Sequence, residues 1–241
     1  MNCGKRETEL IVALDFVKLQ DALDFVETAG DSVTWYKIGS QLFCSAGPAA
    51  VAALKARGKK VFLDLKFYDI PNTVASAVAE AVKMGADMVN VHASGGREMM
   101  MAAVKAAADN SPAGKRPLLI AVTVLTSMDA ATLTEVTNRK DAYTPSVHVP
   151  YLAKLAKESG MDGVVASAHE IDLIRSACGG DFVLVIPGIR PADSSVDDQK
   201  RIMTPREAAA KGADFIVVGR PVLKARNPAE AARAIKAEMV S

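Results

Sequence analysis

The stretch of sequence that decides the fold is residues 60–93, which read KVFLDLKFYDIPNTVASAVAEAVKMGADMVNVHA. An almost continuous apolar run is followed by an Ala-rich segment with apolar residues at helical spacing, and then by a second apolar run. Such apolar runs are typical of parallel strands buried on both faces, and a helix between two of them forms a βαβ unit. Residues 60–93 therefore predict a strand, a helix and a second parallel strand.

The same alternation continues on both sides of this unit. Strands are predicted at Leu10–Asp15, Trp35–Gly39, Lys60–Lys66, Met88–Ala93, Leu118–Thr126, Gly163–Ser167, Phe182–Pro187 and Phe215–Gly219. Helices are predicted at Leu19–Ala29, Pro48–Arg57, Thr73–Met84, Gly96–Ala108, Tyr151–Ser159, Glu170–Ala177, Pro205–Lys211 and Ala229–Met239. Eight strand–helix units favour an α/β fold of the (β/α)8 TIM-barrel type, as a single domain over residues 1–241. An open doubly wound sheet is the alternative, and the lack of a GxGxxG fingerprint after the first strand weakens it.

Composition narrows the class of protein. Lys and Arg total 29 against 28 Asp and Glu, without a basic stripe, so we expect no nucleic-acid partner. The apolar run Leu10–Leu14 ends at Asp15, which is too short for a signal peptide or a membrane span. The three cysteines are far apart in the sequence, which suits a reducing compartment. The sequence thus predicts a cytoplasmic protein that does not bind membranes.

Polar residues concentrate where the predicted strands end, which in TIM barrels is the side of the active site. They are Asp15, Lys37, Asp64, Lys66, Asp69, Asn90, His92, Thr126, Ser127, Ser167, Arg190 and Arg220. An unpaired buried ion costs several kcal/mol, so these charges must meet each other, water or a ligand. A functional site explains them best, and a salt-bridge network without a catalytic role is the alternative.

The third strand carries the most informative charges. Side chains two apart on a strand point to the same side, so Asp64 and Lys66 should face together, with Lys37 of the neighbouring strand beside them. Alternating charges would keep both lysines protonated and both carboxylates ionised. A protonated lysine in a defined position is a competent general acid.

The ends of the seventh and eighth strands predict a phosphate site. Gly188 and Gly219 allow close backbone approach, and Arg190 and Arg220 supply charge and paired donors. The polar segment Pro191–Met203 is long for a βα connection, and we expect a lid with Gln199 as a ligand contact. A simple solvated loop is the alternative for this segment.

These residues also carry a family resemblance. The decapeptide DLKFYDIPNT at 64–73 matches DxKxxDIxxT, the signature of orotidine 5′-phosphate (OMP) decarboxylases. Further matches follow in order: VALD ending at Asp15, YKIG around Lys37, MVNVHASGG at 88–96, VTVLTS at 122–127, DGVVASA at 162–168, PGIR at 187–190, DQKRIMTP at 198–205 and VVGRP at 217–221. The sequence most resembles the bacterial branch of this family.

The resemblance implies an activity and a set of catalytic residues. The family converts OMP to UMP and carbon dioxide, the last step of de novo pyrimidine nucleotide synthesis, without a cofactor or metal. Asp64 would lie beside the substrate carboxylate, and Lys66 would deliver a proton to C6 of the pyrimidine. Lys37 and Asp69 would complete a Lys–Asp–Lys–Asp array, in which Asp69 reaches the site of a partner subunit.

The resemblance also implies the substrate contacts and the assembly. Asp15 and Lys37 would contact the ribose, and Thr126, with Ser127, the pyrimidine ring. Ile70 and Thr73 would cross to the partner with Asp69, which implies a homodimer with shared sites. The residues expected at the phosphate or the closed lid are Arg190, Gln199, Gly219 and Arg220.

Two other functions remain as alternatives. A Mg²⁺-dependent sugar-phosphate decarboxylase or hexulose-phosphate synthase would share the scaffold and the DxKxxD motif, but those enzymes place a Glu metal ligand where Lys37 stands. A lysine there repels Mg²⁺. A phosphate-binding protein on a decayed barrel would have lost Lys66, Asp64 or Arg220, and all three are present. The histidines show no metal-ligand spacing, so no metal site is predicted.

Overall fold

The computed structural model describes residues 7–139, 144–191 and 203–240. Within them, eight parallel strands pair in sequence order, and the last returns to the first to close a barrel. The strands are β1 (Glu9–Ala13), β2 (Trp35–Gly39), β3 (Lys60–Phe67), β4 (Met88–His92), β5 (Leu118–Val122), β6 (Gly163–Val165), β7 (Val183–Pro187) and β8 (Phe215–Val218). The predicted TIM barrel is confirmed. A single domain over residues 1–241 stays a prediction.

Helices follow the strands and cover the outside of the barrel. They are α1 (Leu19–Ala29), α2 (Ser40–Ala46), α3 (Pro48–Ala56), α4 (Pro71–Lys83), α5 (Gly96–Asn110), α6 (Ala130–Thr137), α7 (Pro145–Glu158), α8 (Ile171–Cys178), α9 (Pro205–Ala210), α10 (Arg220–Leu223) and α11 (Pro228–Val240). None of those in the described ranges is long and apolar enough to cross a membrane.

The interior of the barrel is apolar toward the amino-terminal ends of the strands and charged toward their carboxyl-terminal ends. Trp35 on β2, Phe62 on β3 and Met88 on β4 belong to one buried cluster inside the barrel. Because side chains alternate between the faces of a strand, the residues two positions later, Lys37, Asp64 and Asn90, point to the same interior. The strands therefore deliver these three polar side chains to the carboxyl-terminal end of the barrel.

The predicted element boundaries were wrong in two instructive places. Strand β5 ends at Val122, four residues before the predicted end, because its neighbour β6 ends at Val165, whose carbonyl accepts both the N–H and the hydroxyl of Thr123. Helix α7 begins at Pro145, not after Pro150, which lies within it. A proline usually interrupts a helix, but here the packing of Val149 and Leu152 on the buried face outweighs the lost hydrogen bond.

At the opposite, amino-terminal end of the barrel, the strands β4, β6 and β8 are each preceded by an aspartate that makes the same set of stabilising contacts. Each accepts a backbone N–H from the preceding strand and pairs with a basic side chain: Asp87 with Val61 and Lys55, Asp162 with Leu119 and Arg116, Asp214 with Leu184 and Arg175. We did not single out these residues from the sequence. The signal that marks them is a Gly-x-Asp triplet before each of the three strands.

Asp214 should be important for stability because its side chain is only 9% exposed and pairs with Arg175 at 2.7 Å. Asp214→Ala leaves the Arg175 charge and the Leu184 N–H without this partner, and we expect a loss of about 3–5 kcal/mol in the free energy of unfolding. Urea titration at fixed protein concentration measures it. Asp172→Ala, which removes the exposed ion pair with Lys211, is the control and should cost far less. Equal losses for the two variants would contradict the assignment.

Candidate active site

Three charged side chains meet at the carboxyl-terminal end of the barrel. The Asp64 carboxylate lies between two ammonium groups, with Lys37 Nζ 3.2 Å from its Oδ2 and Lys66 Nζ 2.7 Å from its Oδ1. Lys37 Nζ also lies 3.7 Å from Asp15 Oδ1. The structure thus brings together Asp15, Lys37, Asp64 and Lys66, four of the residues that the sequence predicted for the site.

Two local backbone features allow this arrangement. Gly39 leaves room for Lys37, because a Cβ at Gly39 would lie 3.0 Å from Lys37 Nζ. Strand β3 bulges beside the site: its pairing advances from Leu63 to Phe67 while that of β4 advances only from Val89 to Val91. Within the bulge Lys66 adopts a φ of 51°, which is unfavourable for a residue with a side chain. The strained backbone thus occurs at the residue whose side chain turns toward Asp64.

The electrostatics of Asp64 follow from its neighbours. The residue is 8% exposed, and burial by itself raises the pKa of its carboxyl. The charges of Lys37 and Lys66, together with hydrogen bonds from Lys66 and Asn90, outweigh burial and hold the pKa of Asp64 below its ordinary value. Asp64 is therefore ionised at neutral pH and acts as the counterion of both lysines.

A cavity of about 220 Å³ adjoins this charged group. Asp15 and Lys37 form one wall, and its other lining residues include Gly188, Arg190, Gly219 and Arg220. Gly219 lies close to Asp15, since a Cβ built on it would be 3.5 Å from Asp15 Oδ2. Arginines at the ends of β7 and β8 give this cavity the chemistry of an anion site.

The ends of the predicted lid pair with each other beside this cavity. Ile189 and Met203 form a parallel bridge, and the Arg190 N–H donates to the Met203 carbonyl at 3.1 Å. Residues 192–202 lie outside the described residues, and with them Gln199 and most of the predicted lid.

Comparison with known proteins assigns the family. The model of the Orotidine 5'-phosphate decarboxylase / HUMPS family matches residues 8–235. The chain belongs to this family. A relative from Trichlorobacter lovleyi named orotidine 5'-phosphate decarboxylase is 49% identical over 241 residues, which cover 100% of this chain and 99% of the relative. One of the same name from Chromobacterium violaceum is 52% identical over 236 residues, covering 98% and 93% of the two chains.

Solved structures show the same fold. The crystal structure of orotidine 5'-phosphate decarboxylase from Lactobacillus acidophilus is 38% identical and has a TM-score of 0.87 over 98% of this chain and 100% of that one. The relatives at 49% and 52% identity are named as decarboxylases, and the chain is an enzyme of this decarboxylase family.

Other residues expected from the family signature lie at the surface. Asp69, Ile70 and Thr73 are exposed, and Asp69 Oδ1 accepts the backbone N–H of Ile70 at 2.6 Å. Within the described part of the single chain, Asp69 forms no ion pair with Lys37 or Lys66. Thr126 and Ser127 are exposed in a turn beyond β5, not at the strand end where we predicted them.

The sequence analysis assigned no role to three residues at this end of the barrel. His92, at the end of β4, has its pKa lowered by burial and by the charge of Lys66, against an opposing effect of Asp64, so its ring is neutral at pH 7. The ring of Tyr68 lies 5.5 Å from that of His92. Asn90, on the same strand, contacts both Asp64 and Lys66. Only its strand-end position hinted at such contacts.

The lowered pKa of Asp64 predicts a specific acid dependence of stability. A carboxyl with a folded pKa below its unfolded value of about 3.9 stabilises the fold above that pH and loses this contribution as the pH falls through the folded pKa. The free energy of unfolding, measured in urea from about pH 6 to 3, should therefore fall more steeply for the wild type than for Asp64→Asn. Asp31→Asn, at an exposed side chain, should follow the wild type. An identical slope for Asp64→Asn would contradict this account.

Proposed function

We propose that this chain decarboxylates OMP to UMP and carbon dioxide, the last step of de novo pyrimidine nucleotide synthesis. The observation that carries the proposal is the buried Asp64 carboxylate between Lys37 and Lys66, directly beside an arginine-lined cavity. OMP has a phosphate at one end and a carboxylate on its ring at the other. The site offers positive charge at both positions.

The cavity supplies the grip on the phosphate end. Arg190 and Arg220 can pair with phosphate oxygens, and Gly188 and Gly219 let the backbone approach. Asp15 and Lys37 line the cavity on the side of the charged group, where the ribose would lie. Binding energy from the phosphate, which does not react, holds the pyrimidine against the reacting residues.

The chemical step requires stabilisation of a carbanion. When the C6–carboxylate bond breaks, carbon dioxide leaves and the electron pair stays on C6, in an orbital that the ring carbonyls cannot delocalise. The Lys66 ammonium stabilises this charge as it develops and then transfers a proton from Nζ to C6, which yields UMP. Solvent returns a proton to Lys66 before the next cycle.

Asp64 has two tasks in this reaction. Its carboxylate holds the Lys66 ammonium at 2.7 Å and so fixes where the proton is delivered. It also lies beside the position that the substrate carboxylate would take. Two adjacent anions disfavour the bound substrate relative to the transition state, in which the substrate carboxylate is being lost. Because Asp64 is already ionised, it exerts this effect at neutral pH.

We propose that the reaction needs neither a cofactor nor a metal. Lys37 Nζ, 3.2 Å from Asp64, holds the position from which Mg²⁺ would have to contact this carboxylate. A fixed ammonium there opposes a divalent cation, which disfavours the metal-dependent sugar-phosphate chemistry of the alternative.

The direct test is the loss of ultraviolet absorbance when EDTA-treated protein is mixed with OMP. We expect conversion to UMP without added metal, and a kcat for Lys66→Ala that is lower by at least about 10³-fold, because proton donation and charge stabilisation are lost together. Lys105→Ala, on the exposed face of α5, is the matched control and should keep wild-type turnover.

Two results would count against this proposal. Near-normal turnover by Lys66→Ala would remove Lys66 as the proton donor. A folded wild-type protein that turns over sugar phosphates with Mg²⁺, and not OMP, would favour the alternative.

We further propose that the active site is completed in a homodimer. Asp69 and Ile70 are exposed just after β3, the strand that carries Asp64 and Lys66, and Ile70 is 67% exposed. Tyr68, two positions earlier, is 62% exposed as well, and exposed apolar side chains that lie together mark interaction surfaces. In a symmetric dimer these residues, with Thr73, would reach the partner's lysines, and Asp69 would complete the Lys–Asp–Lys–Asp array.

Mixed dimers test the sharing of sites. Lys66→Ala and Asp69→Ala homodimers should each be nearly inactive. After the two variants are unfolded and refolded together, half of the dimers are mixed and each carries one complete site, so about a quarter of the wild-type turnover should return. No recovery, although mixed dimers are detected by mass spectrometry, would show that each chain uses its own Asp69.

A further inference from the structure

We propose that Asn90 is a positioning residue for the proposed reaction: it holds the strained backbone of Lys66 and the carboxylate of Asp64 in one fixed relation. This inference rests on the proposed function for its catalytic consequence. Its structural basis is independent of the substrate, because it lies in contacts between β3 and β4.

Both ends of the Asn90 amide are occupied. Asn90 Nδ2 donates to Asp64 Oδ1 at 2.7 Å, and Asn90 Oδ1 accepts the backbone N–H of Lys66 at 2.8 Å. The residue is 0% exposed, so water does not compete for either bond. One planar group therefore ties a side chain to a main chain two residues further along the same strand.

The bulge in β3 explains why this connection is needed. Between the pairs Leu63–Val89 and Phe67–Val91 the regular ladder is interrupted, and the N–H of Lys66 bonds to the Asn90 side chain, not to a strand carbonyl. Lys66 is at a φ of 51°, a conformation that persists only where surrounding bonds hold it. Asn90 supplies such a bond at the strained residue itself.

The chemistry of the two contacts selects asparagine. One partner is a carboxylate, which needs a donor, and the other is an N–H, which needs an acceptor. An apolar side chain would leave both groups buried without these partners. An ionised carboxylate at this position would accept from Lys66 but repel Asp64.

The surroundings of Asn90 make aspartate a sharp probe. The charged or titratable groups near it are Asp64 and Lys66 on β3, Lys37 on β2 and His92 on its own strand, whereas its pairing partner on β5 is the apolar Ile120. In Asn90→Asp, two carboxyls would share one site, and one of them would bind a proton with a raised pKa. In the protonated form the new carboxyl would donate to Asp64 and accept from Lys66, as the amide does.

The experiment measures kcat and KM with OMP from about pH 5 to 9, together with the Kd of UMP, for the wild type, Asn90→Ala and Asn90→Asp. For Asn90→Ala we expect kcat to fall by about 10²-fold, because the reacting groups lose their fixed geometry. Its UMP affinity should stay within about threefold of the wild type, because the arginine-lined cavity is untouched. For Asn90→Asp the loss should be similar at about pH 8 and should diminish as the pH falls and the new carboxyl takes up a proton.

Thr123→Val is the matched control, since Thr123 is also buried at a strand end, but its hydroxyl donates to the Val165 carbonyl of β6 and not to Asp64 or Lys66. It should keep the wild-type pH profile. The inference would be overturned if Asn90→Ala kept the wild-type kcat. It would also be overturned if Asn90→Asp lost activity by the same factor at every pH. An inactive wild type would instead reject the proposed function and the catalytic role of Asn90 together. The φ of Lys66 in a crystal structure of Asn90→Ala then decides whether Asn90 holds that backbone.

Discussion

The pairing of one buried carboxylate with two ammonium groups organises the carboxyl-terminal end of this barrel. Asp64 is 8% exposed, and a lone carboxylate at that depth would take up a proton or destabilise the fold. Lys37 and Lys66 prevent this, and in turn Asp64 prevents the two lysines from repelling each other. Each of the three charges is tolerated only because the others are present. The same condition keeps a proton donor and an anion at fixed positions beside a ligand cavity.

The backbone around these charges is adapted to them. A regular β3 would continue its ladder with β4 through Lys66, but the strand bulges and Lys66 takes a strained conformation. Asn90 accepts the N–H that the bulge removes from the ladder and donates to Asp64 with its other end. The strained backbone of Lys66 and the fixed orientation of the Asp64 side chain therefore both depend on Asn90 and the bulge in β3. Bulges beside active sites commonly re-aim a side chain in this way.

The charged residues at the two ends of the barrel have different roles, one structural and one at the candidate active site. At the amino-terminal end, Asp87, Asp162 and Asp214 each join a strand to a neighbouring strand or helix through a satisfied carboxylate. At the other end, Asp15 and Lys37 line a cavity, and Lys37 connects it to Asp64 and Lys66. The same residue types serve both ends, and their surroundings decide the role. Substitutions at the first end should affect folding alone, and those at the second should affect catalysis as well as folding.

The sequence by itself determined the fold class, most of the element positions and the group of strand-end charges, because burial on both faces and helical spacing are written in local patterns. It also brought Asp64, Lys66 and Lys37 together, since alternation along a strand and adjacency of strands are enough for that inference. The family signature in residues 64–73 agrees with the family assignment. Local patterns misplaced the end of β5 and the start of α7, where the short neighbouring strand β6 and the packing around Pro150 prevail over propensity.

Only the tertiary structure decided how these residues are held. The bulge in β3, the φ of Lys66 and the double contact of Asn90 depend on the registers of two strands whose residues are more than twenty positions apart. The carboxylates before β4, β6 and β8 likewise acquire their partners from distant elements. The physical reason is the same in each case. A pattern along the chain specifies which face a side chain occupies, but closure of the barrel selects the atoms that it meets there.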